Sequence, residues 1–396
     1  MMKANGIWSR LKMRFEFATA SRIVFGPGTL GEVAPVATEM GRRPLVVTGH
    51  SGDRAAPLMG ALIEQGLEIT RCKVSGEPTT DMALEVVQEA RRAACDLVIG
   101  IGGGSVIDTG KVVAALITNR GPLIDYLEVI GNAQPLVCAA APYIAIPTTA
   151  GTGSEVTRNA VLGSPDHGVK VSMRSPSMLP NLAVIDPELT ASLPPSITAS
   201  TGLDAFTQLM EAFVSGHANA MTDGICREGL LRAAESLQRV YENGSDRGAR
   251  ENMCLASFFS GLALANAKLG AIHGIAGPLG GMITGAHGAI CAGLLPYVTE
   301  TNIKALRTRA SDSSALARYN ELACILTQNA KARAEDGIAW IKNLCQTLQI
   351  QSLAHLGLSK ADFPAVVAKS QIASSMQGNP IRLTEAELVE ILHKAL

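Results

Sequence analysis

A change of pattern near residue 194 constrains this 396-residue chain more than any other feature. Before it, short apolar runs alternate with helical patterns. PLVVTG (44–49), EITRCKV (68–74), DLVIGIGGG (96–104), YIAIPTT (143–149) and LAVIDP (182–187) read as strands. APLMGALIEQG (56–66), DMALEVVQEARRAA (81–94) and SVIDTGKVVAALI (105–117) read as the helices between them. That alternation predicts βαβ units and a parallel sheet. After SLPPS (192–196) only helical spacing remains, in ITASTGLDAFTQLMEAFVS, DGICREGLLRAAESLQRVYEN, ARENMCLASFFSGLALANAK and GIAWIKNLCQTLQ. The predicted fold class is therefore an α/β domain with a parallel sheet over residues 1–193, followed by an all-α domain over 194–396. The length supplies a full core to each.

Composition narrows the functional classes. An apolar content of 47% fits a well-buried globular protein and argues against disorder. A net charge of -1 with no basic block gives no footprint for nucleic acid or for an anionic membrane surface. The apolar stretches are short and broken by Gly or Pro, so no transmembrane helix is expected. The N-terminal MMKANGIWSRLKMRF lacks the apolar core and cleavage site of a signal peptide and reads as an extension. The eight cysteines contain no CxxC pair and read as buried reduced thiols, as expected of a cytoplasmic protein.

Two loops follow strands. IGGGSVIDTGK (101–111) sets Gly102, Gly103, Gly104 and Ser105 where a strand meets a helix. Bare backbone beside a helix N-terminus suits phosphate, although a plain tight turn would use the same residues. The run matches neither G-x-G-x-x-G nor the P-loop pattern. IPTTAGTGSEVT (146–157) offers hydroxyls suited to ribose, phosphate or carboxamide groups, a weak signal by itself.

The helical half carries a different chemistry. Asp204 and Gln208 stand four apart in TGLDAFTQLMEAF, on one helix face. His273 and His287 bracket the glycine-rich HGIAGPLGGMITGAHG, which lets the chain turn and bring both imidazoles to one point. An Asp with two His supplies donors suited to Fe²⁺ or Zn²⁺, whereas the Gln208 amide is a weak ligand. Asp186, in VIDPEL, reads as a turn former before Pro187. His167, His217, His355 and His393 read as surface residues.

In order, FGPGTL (25–30), GGGSVIDTGK, PTTAGTGSEVT, SPSMLPNLAVIDPEL, TGLDA, HG…PLGG…HG…LLPYV and Asn379-Pro380 resemble the iron-containing (group III) alcohol dehydrogenases, relatives of glycerol dehydrogenase and 3-dehydroquinate synthase. The match runs from about Phe15 to the C-terminus. It implies a dinucleotide-binding N-terminal domain, a helical domain carrying a metal, and hydride exchange between NAD(P)(H) and a small alcohol or its aldehyde or ketone. Carried over by position, Gly102, Gly103, Gly104 and Ser105 look like the pyrophosphate loop. Thr148, Thr149 and Ser154 look like further cofactor contacts, and Lys170 like the lysine reaching the nicotinamide ribose. Asp108 and Lys111 lie in the same motif, and Lys111 could equally be a solvated helix residue. Asp204, Gln208, His273 and His287 fall on the metal-ligand positions. A homo-oligomer, dimer or larger, is also implied.

Three departures stand out. The family's second ligand is commonly His and here is Gln208; a further His four residues after the third ligand is replaced by Gly277. Many NAD-using members end the first strand with Asp, where this chain has Gly49. Losing that carboxylate removes repulsion against a 2′-phosphate, and Ser51 and Arg54 stand near enough in sequence to bind one, so NADP(H) is the expected preference over NAD(H). With three protein ligands a site of Asp204, His273 and His287 still works. A metal-independent, maleylacetate-type reductase, a lyase using NAD transiently and a non-enzymatic cofactor-binding protein are the alternatives.

Overall fold

The computed structural model describes residues 14–49 and 52–396; Ser51, His50 and most of the N-terminal extension lie outside the described residues. The first half runs β1 (Arg22–Phe25), α1 (Val33–Met40), β2 (Pro44–Thr48), α2 (Ala56–Glu64), β3 (Thr70–Lys73), α3 (Thr80–Arg92), β4 (Leu97–Gly102), α4 (Gly104–Thr118), α5 (Leu123–Tyr126), β5 (Tyr143–Pro147), β6 (Asn159–Ser164), β7 (Val169–Arg174) and β8 (Leu182–Ile185). Six strands form one sheet in the order β1-β8-β5-β4-β2-β3, every pair parallel. Strands β2, β4 and β5 are buried along their whole length, as a sheet covered by helices on both faces requires. The chain extends the sheet one way from β2 to β3 and the other way from β4 to β5, so the sheet has a switch point at the carboxyl ends of β2, β4 and β5.

Five of these strands are the predicted ones. β1 is a half-exposed edge strand of four residues that pairs with β8, too short to declare itself by periodicity. The antiparallel hairpin β6–β7 also escapes the sequence pattern and forms its own two-stranded sheet.

From Pro195 onward the described chain is helical: α6 (Pro195–Val214), α7 (Ala220–Glu242), α8 (Arg247–Ala267), α9 (Ala271–Leu279), α10 (His287–Arg309), α11 (Ser314–Thr327), α12 (Ala334–Thr347), α13 (Phe363–Ile372) and α14 (Glu385–Ala395). Pro195 occupies the first turn of α6, where its missing N–H is harmless. Almost every residue of α6 from Thr198 to Val214 is buried, which makes it the central helix, wrapped by α7, α8 and α10. No single described helix is long and apolar enough to cross a membrane. All eight cysteines are free; five are buried, Cys72 and Cys324 are half-buried, and Cys138 is exposed against expectation. His167, His217, His355 and His393 are exposed as expected.

The loop after β5 ties the two halves together. Gly153 has φ +60° and lies against the backbone of Gly261 in α8; a Cβ there would also come within 2.7 Å of the Ser257 carbonyl. Only glycines on both sides permit that approach. Beneath the loop, Lys111 is fully buried rather than solvated. Its ammonium donates to Ser154 Oγ at 2.7 Å, Thr157 Oγ1 at 2.8 Å and the Asn159 carbonyl at 2.8 Å, and Asp108 lies 3.6 Å away. Burial pulls the Lys111 ammonium down to about 8, against the opposing pull of Asp108 and Glu155. Burial also pushes the Glu155 carboxyl up to about 7. Asp186 caps the turn after β8 and accepts the Leu30 amide at 3.1 Å, so it acts as the predicted turn former.

Gly153→Ala should lower the urea-unfolding free energy by about 1–3 kcal/mol, through positive φ and overpacking together. Lys111→Met strands two hydroxyls, a carbonyl and Asp108, with an expected loss of about 1–3 kcal/mol. The unfolded chain holds a Lys proton that the folded chain sheds between about pH 8 and the ordinary 10.5, so Lys111 contributes more as pH rises through that window. The deficit of Lys111→Met is therefore expected to be larger at about pH 9.5 than at about pH 7.5 in paired urea titrations.

Candidate active site

A cleft opens at the switch point of the sheet, lined by Thr48, Gly49, Arg54, Gly102, Gly103, Thr148 and Thr149. These residues follow β2, β4 and β5, the place where parallel α/β sheets receive ligands. Helix α4 starts there with Gly103 at its N-cap and no side chain capping it, so its first-turn amides and its positive dipole end remain available to an anion. Ser105 sits in that first turn. A Cβ on Gly49 would meet only Val106 at an ordinary 3.8 Å, so the absence of a side chain there is not imposed by packing. Arg54 lines the same cleft, and its Nε donates to Ser192 Oγ at 3.0 Å.

The other predicted contacts are distributed around this cleft. Ser154 is buried, and its hydroxyl is engaged by Lys111 and Asp108, which fixes the loop from beneath. Lys170, on β7, pairs with Glu77 and reaches the end of α9, where a Cβ on Gly280 would lie 2.9 Å from its Nζ. The same β5 loop continues from Thr148 and Thr149 to Gly151, whose carbonyl lies 3.4 Å from Ser260 Oγ. Ser260 Oγ also lies 2.9 Å from Gln208 Oε1. One loop thus runs from the cleft to the second cluster of interest.

That cluster forms where α6, α9 and α10 meet. Asp204 and Gln208 project from one face of α6, and Gln208 Nε2 donates to Asp204 Oδ2 at 3.3 Å. Gly288, just inside α10, packs on the Ser200 carbonyl, and a Cβ there would stand 3.2 Å from Asp204 Cβ. This close approach brings the start of α10, and with it His287, against Asp204. The rings of His273 and His287 lie 5.5 Å apart between centroids. Asp204, His273, His287 and Cys291 each offer a ligand atom, all within 4.8 Å of one another. Asp204 Oδ1 and His273 Nε2 are buried, 3.4 Å apart, and neither has a hydrogen-bond partner among the described residues. Orphaned acceptors facing each other fit a cation held between them.

Two residues of this centre were not picked out from the sequence. Glu211, seven residues after Asp204 on the same helix, is buried and accepts from His273 Nδ1 at 2.6 Å and from the Ile272 amide at 2.6 Å. It fixes the tautomer that leaves Nε2 free for a ligand, as carboxylates behind metal-bound histidines do. The i+7 spacing in DAFTQLMEAF was the available signal. Cys291, one turn after His287 on α10, was grouped with the inert thiols. Electrostatics follow from this crowding. Burial favours the neutral Asp204 carboxyl, but His273 and His287 outweigh it and hold the group below its usual range. Burial opposes the His273 imidazolium, but Cys291, Asp204 and Glu211 raise it well above the ordinary value, so a proton and a metal cation compete for Nε2. Gly277 faces open space on α9.

A family model described as iron-containing alcohol dehydrogenase matches residues 20–187, and one described as the C-terminal part of the Fe-containing alcohol dehydrogenase family matches 198–396. The chain is 32% identical over 391 residues to 1,3-propanediol dehydrogenase of Klebsiella pneumoniae, covering 96% of this chain and 98% of that protein. It is 32% identical over 381 residues to alcohol dehydrogenase 4 of Saccharomyces cerevisiae, covering 94% and 96%. Among solved structures, 1,3-propanediol oxidoreductase superposes with a TM-score of 0.89 at 30% identity, covering 97% of this chain and all of that one. Sulfoacetaldehyde reductase from Bifidobacterium kashiwanohense, in complex with NAD+, superposes at 0.84 and 27% identity, covering 97% and 99%. With the parallel sheet, the cleft at its switch point and the Asp–His cluster beside it, these likenesses establish that the chain belongs to the iron-containing alcohol dehydrogenase family and is an alcohol dehydrogenase.

Proposed function

We propose that this enzyme interconverts a small alcohol and its aldehyde or ketone, with NADP(H) as the preferred hydride carrier and a divalent metal held by Asp204, His273 and His287. The orphaned pair Asp204 Oδ1 and His273 Nε2 is the observation that carries the metal reading. When bound, the metal polarises the substrate oxygen, and the nicotinamide supplies or takes the hydride.

In this reading residues up to 193 form the cofactor domain and residues 194–396 the metal and substrate domain. The protein's own groups then have defined tasks. Gly102, Gly103, Gly104 and Ser105 receive the pyrophosphate on the uncapped start of α4. Thr148 and Thr149 present hydroxyls into the same cleft. Lys170 stands at the junction of β7 with the end of α9 and would hold the nicotinamide ribose. Glu211 holds the His273 ring, so that its Nε2 keeps an oriented lone pair. Gly277 offers no proton donor, so the proton that balances hydride transfer would come from water, a cofactor ribose hydroxyl or the substrate.

The NADP(H) preference rests on Arg54, which gives the cleft a cation, and on Gly49, which puts no carboxylate at position 49 after β2. Gly49→Asp introduces the carboxylate without a clash at its Cβ. It should move the ratio of kcat/KM for NADPH over NADH toward NADH by about tenfold or more, in the manner of a charge placed against a 2′-phosphate. A wild type that already prefers NADH ends the NADP(H) reading.

The metal reading is tested on protein purified without chelator. Elemental analysis should find near-stoichiometric metal in the wild type and little in Asp204→Ala, with aldehyde reduction lost in parallel. An active, metal-free wild type would instead favour the maleylacetate-type reductase chemistry that Gln208 and Gly277 suggest.

A further inference from the structure

We propose that Cys291 is a protein ligand of the metal centre, taking the coordination place for which the Gln208 amide is a weak donor. This inference rests on the metal reading above and deepens it.

The geometry is that of two helices, each presenting a pair one turn apart. Helix α6 brings Asp204 and Gln208, and α10 brings His287 and Cys291, with His273 entering from α9. Cys291 is fully buried, and its Sγ lies 3.7 Å from His287 Nε2. Metal–nitrogen, –oxygen and –sulfur bonds of about 2.0–2.3 Å imply ligand-to-ligand separations of about 3.3–3.8 Å in a tetrahedron. His273 Nε2 and Asp204 Oδ1, at 3.4 Å, already meet that requirement, as do Cys291 Sγ and His287 Nε2 at 3.7 Å. The whole set of four atoms spans no more than 4.8 Å, so a small contraction completes the site. The two orphaned atoms, Asp204 Oδ1 and His273 Nε2, belong to this set and point to a missing partner independently of the cysteine.

Gln208 is the weaker candidate for that place. Its neutral amide oxygen is a poorer donor to a divalent metal than a thiolate. As placed, Oε1 lies 2.9 Å from Ser260 Oγ, and Nε2 donates to Asp204 Oδ2 at 3.3 Å. A thiolate also changes the choice of metal. Sulfur with two imidazoles and a carboxylate favours Zn²⁺ over Fe²⁺. Binding releases the thiol proton to solvent, because the thiolate is the ligating form.

Cobalt and zinc substitution of the full-length protein test this directly. The chain stripped of metal is reloaded with Co²⁺, and its near-ultraviolet spectrum is read for a thiolate-to-cobalt charge-transfer band. Zinc-loaded wild type is read by X-ray absorption, which needs no variant and is unaffected by misfolding. We expect the cobalt band in the wild type and its absence in Cys291→Ser, and one sulfur neighbour at about 2.3 Å from zinc. Zinc affinity in Cys291→Ser should fall by at least the 10- to 100-fold, roughly, that loss of an outer partner produces. Metal bound with only nitrogen and oxygen neighbours and no charge-transfer band overturns the role of Cys291 and leaves the metal reading standing. The same holds if Gln208→Ala loses the metal while Cys291→Ser keeps it. A wild type that takes up neither Co²⁺ nor Zn²⁺ overturns both.

Discussion

One buried carboxylate organises the helical half of this molecule. Glu211 lies inside the central helix α6, and its two oxygens accept the amide of Ile272 and the Nδ1 of His273. An acid at the start of α9 satisfies a helix-end donor and complements the positive end of the helix. The same contact orients the His273 ring toward Asp204, seven residues earlier on α6. Asn379 adds a second hold on α9 by accepting the Ala271 amide at 3.0 Å, which gives the Asn379-Pro380 pair near the C-terminus a structural purpose.

The α/β half depends on a different constraint, the loop after β5. Its first residues, Thr148 and Thr149, face the cleft at the sheet's switch point. Gly151 touches Ser260 beside Gln208, and Gly153 packs on Gly261. Lys111 holds the loop from below, with an ammonium that burial leaves easier to deprotonate than usual. A single segment therefore sets the distance between the cleft and the Asp–His cluster, because it is pinned at both ends to rigid elements. In an alcohol dehydrogenase that distance governs whether hydride donor and acceptor can meet.

Much of this was legible in the chain. The strands β2, β3, β4, β5 and β8 announce themselves as apolar runs bounded by turn residues, and α6 by dense apolar content after two prolines. Asp204, His273 and His287 were visible because their side chains have few other uses in apolar surroundings. Edge strand β1 and hairpin β6–β7 were not, since short half-exposed strands take their identity from the partners they meet. Lys111 read as a candidate surface residue, because nothing in VIDTGKVV reveals that Ser154, Thr157 and Asn159 lie beneath it. Glu211 and Cys291 were hidden for a related reason: a glutamate and a thiol in a helix are common, and only their neighbours give them meaning.

Sequence alone determined the class of fold, the order of its motifs and the family, because periodicity and spacing are properties of one dimension. It also marked Gln208 as the anomaly at a ligand position. Tertiary packing decided what surrounds it. The crossing of α6 and α10 at Gly288 set Cys291 beside His287 and Asp204. Residues 87 positions apart were made neighbours by a helix crossing that local sequence does not encode.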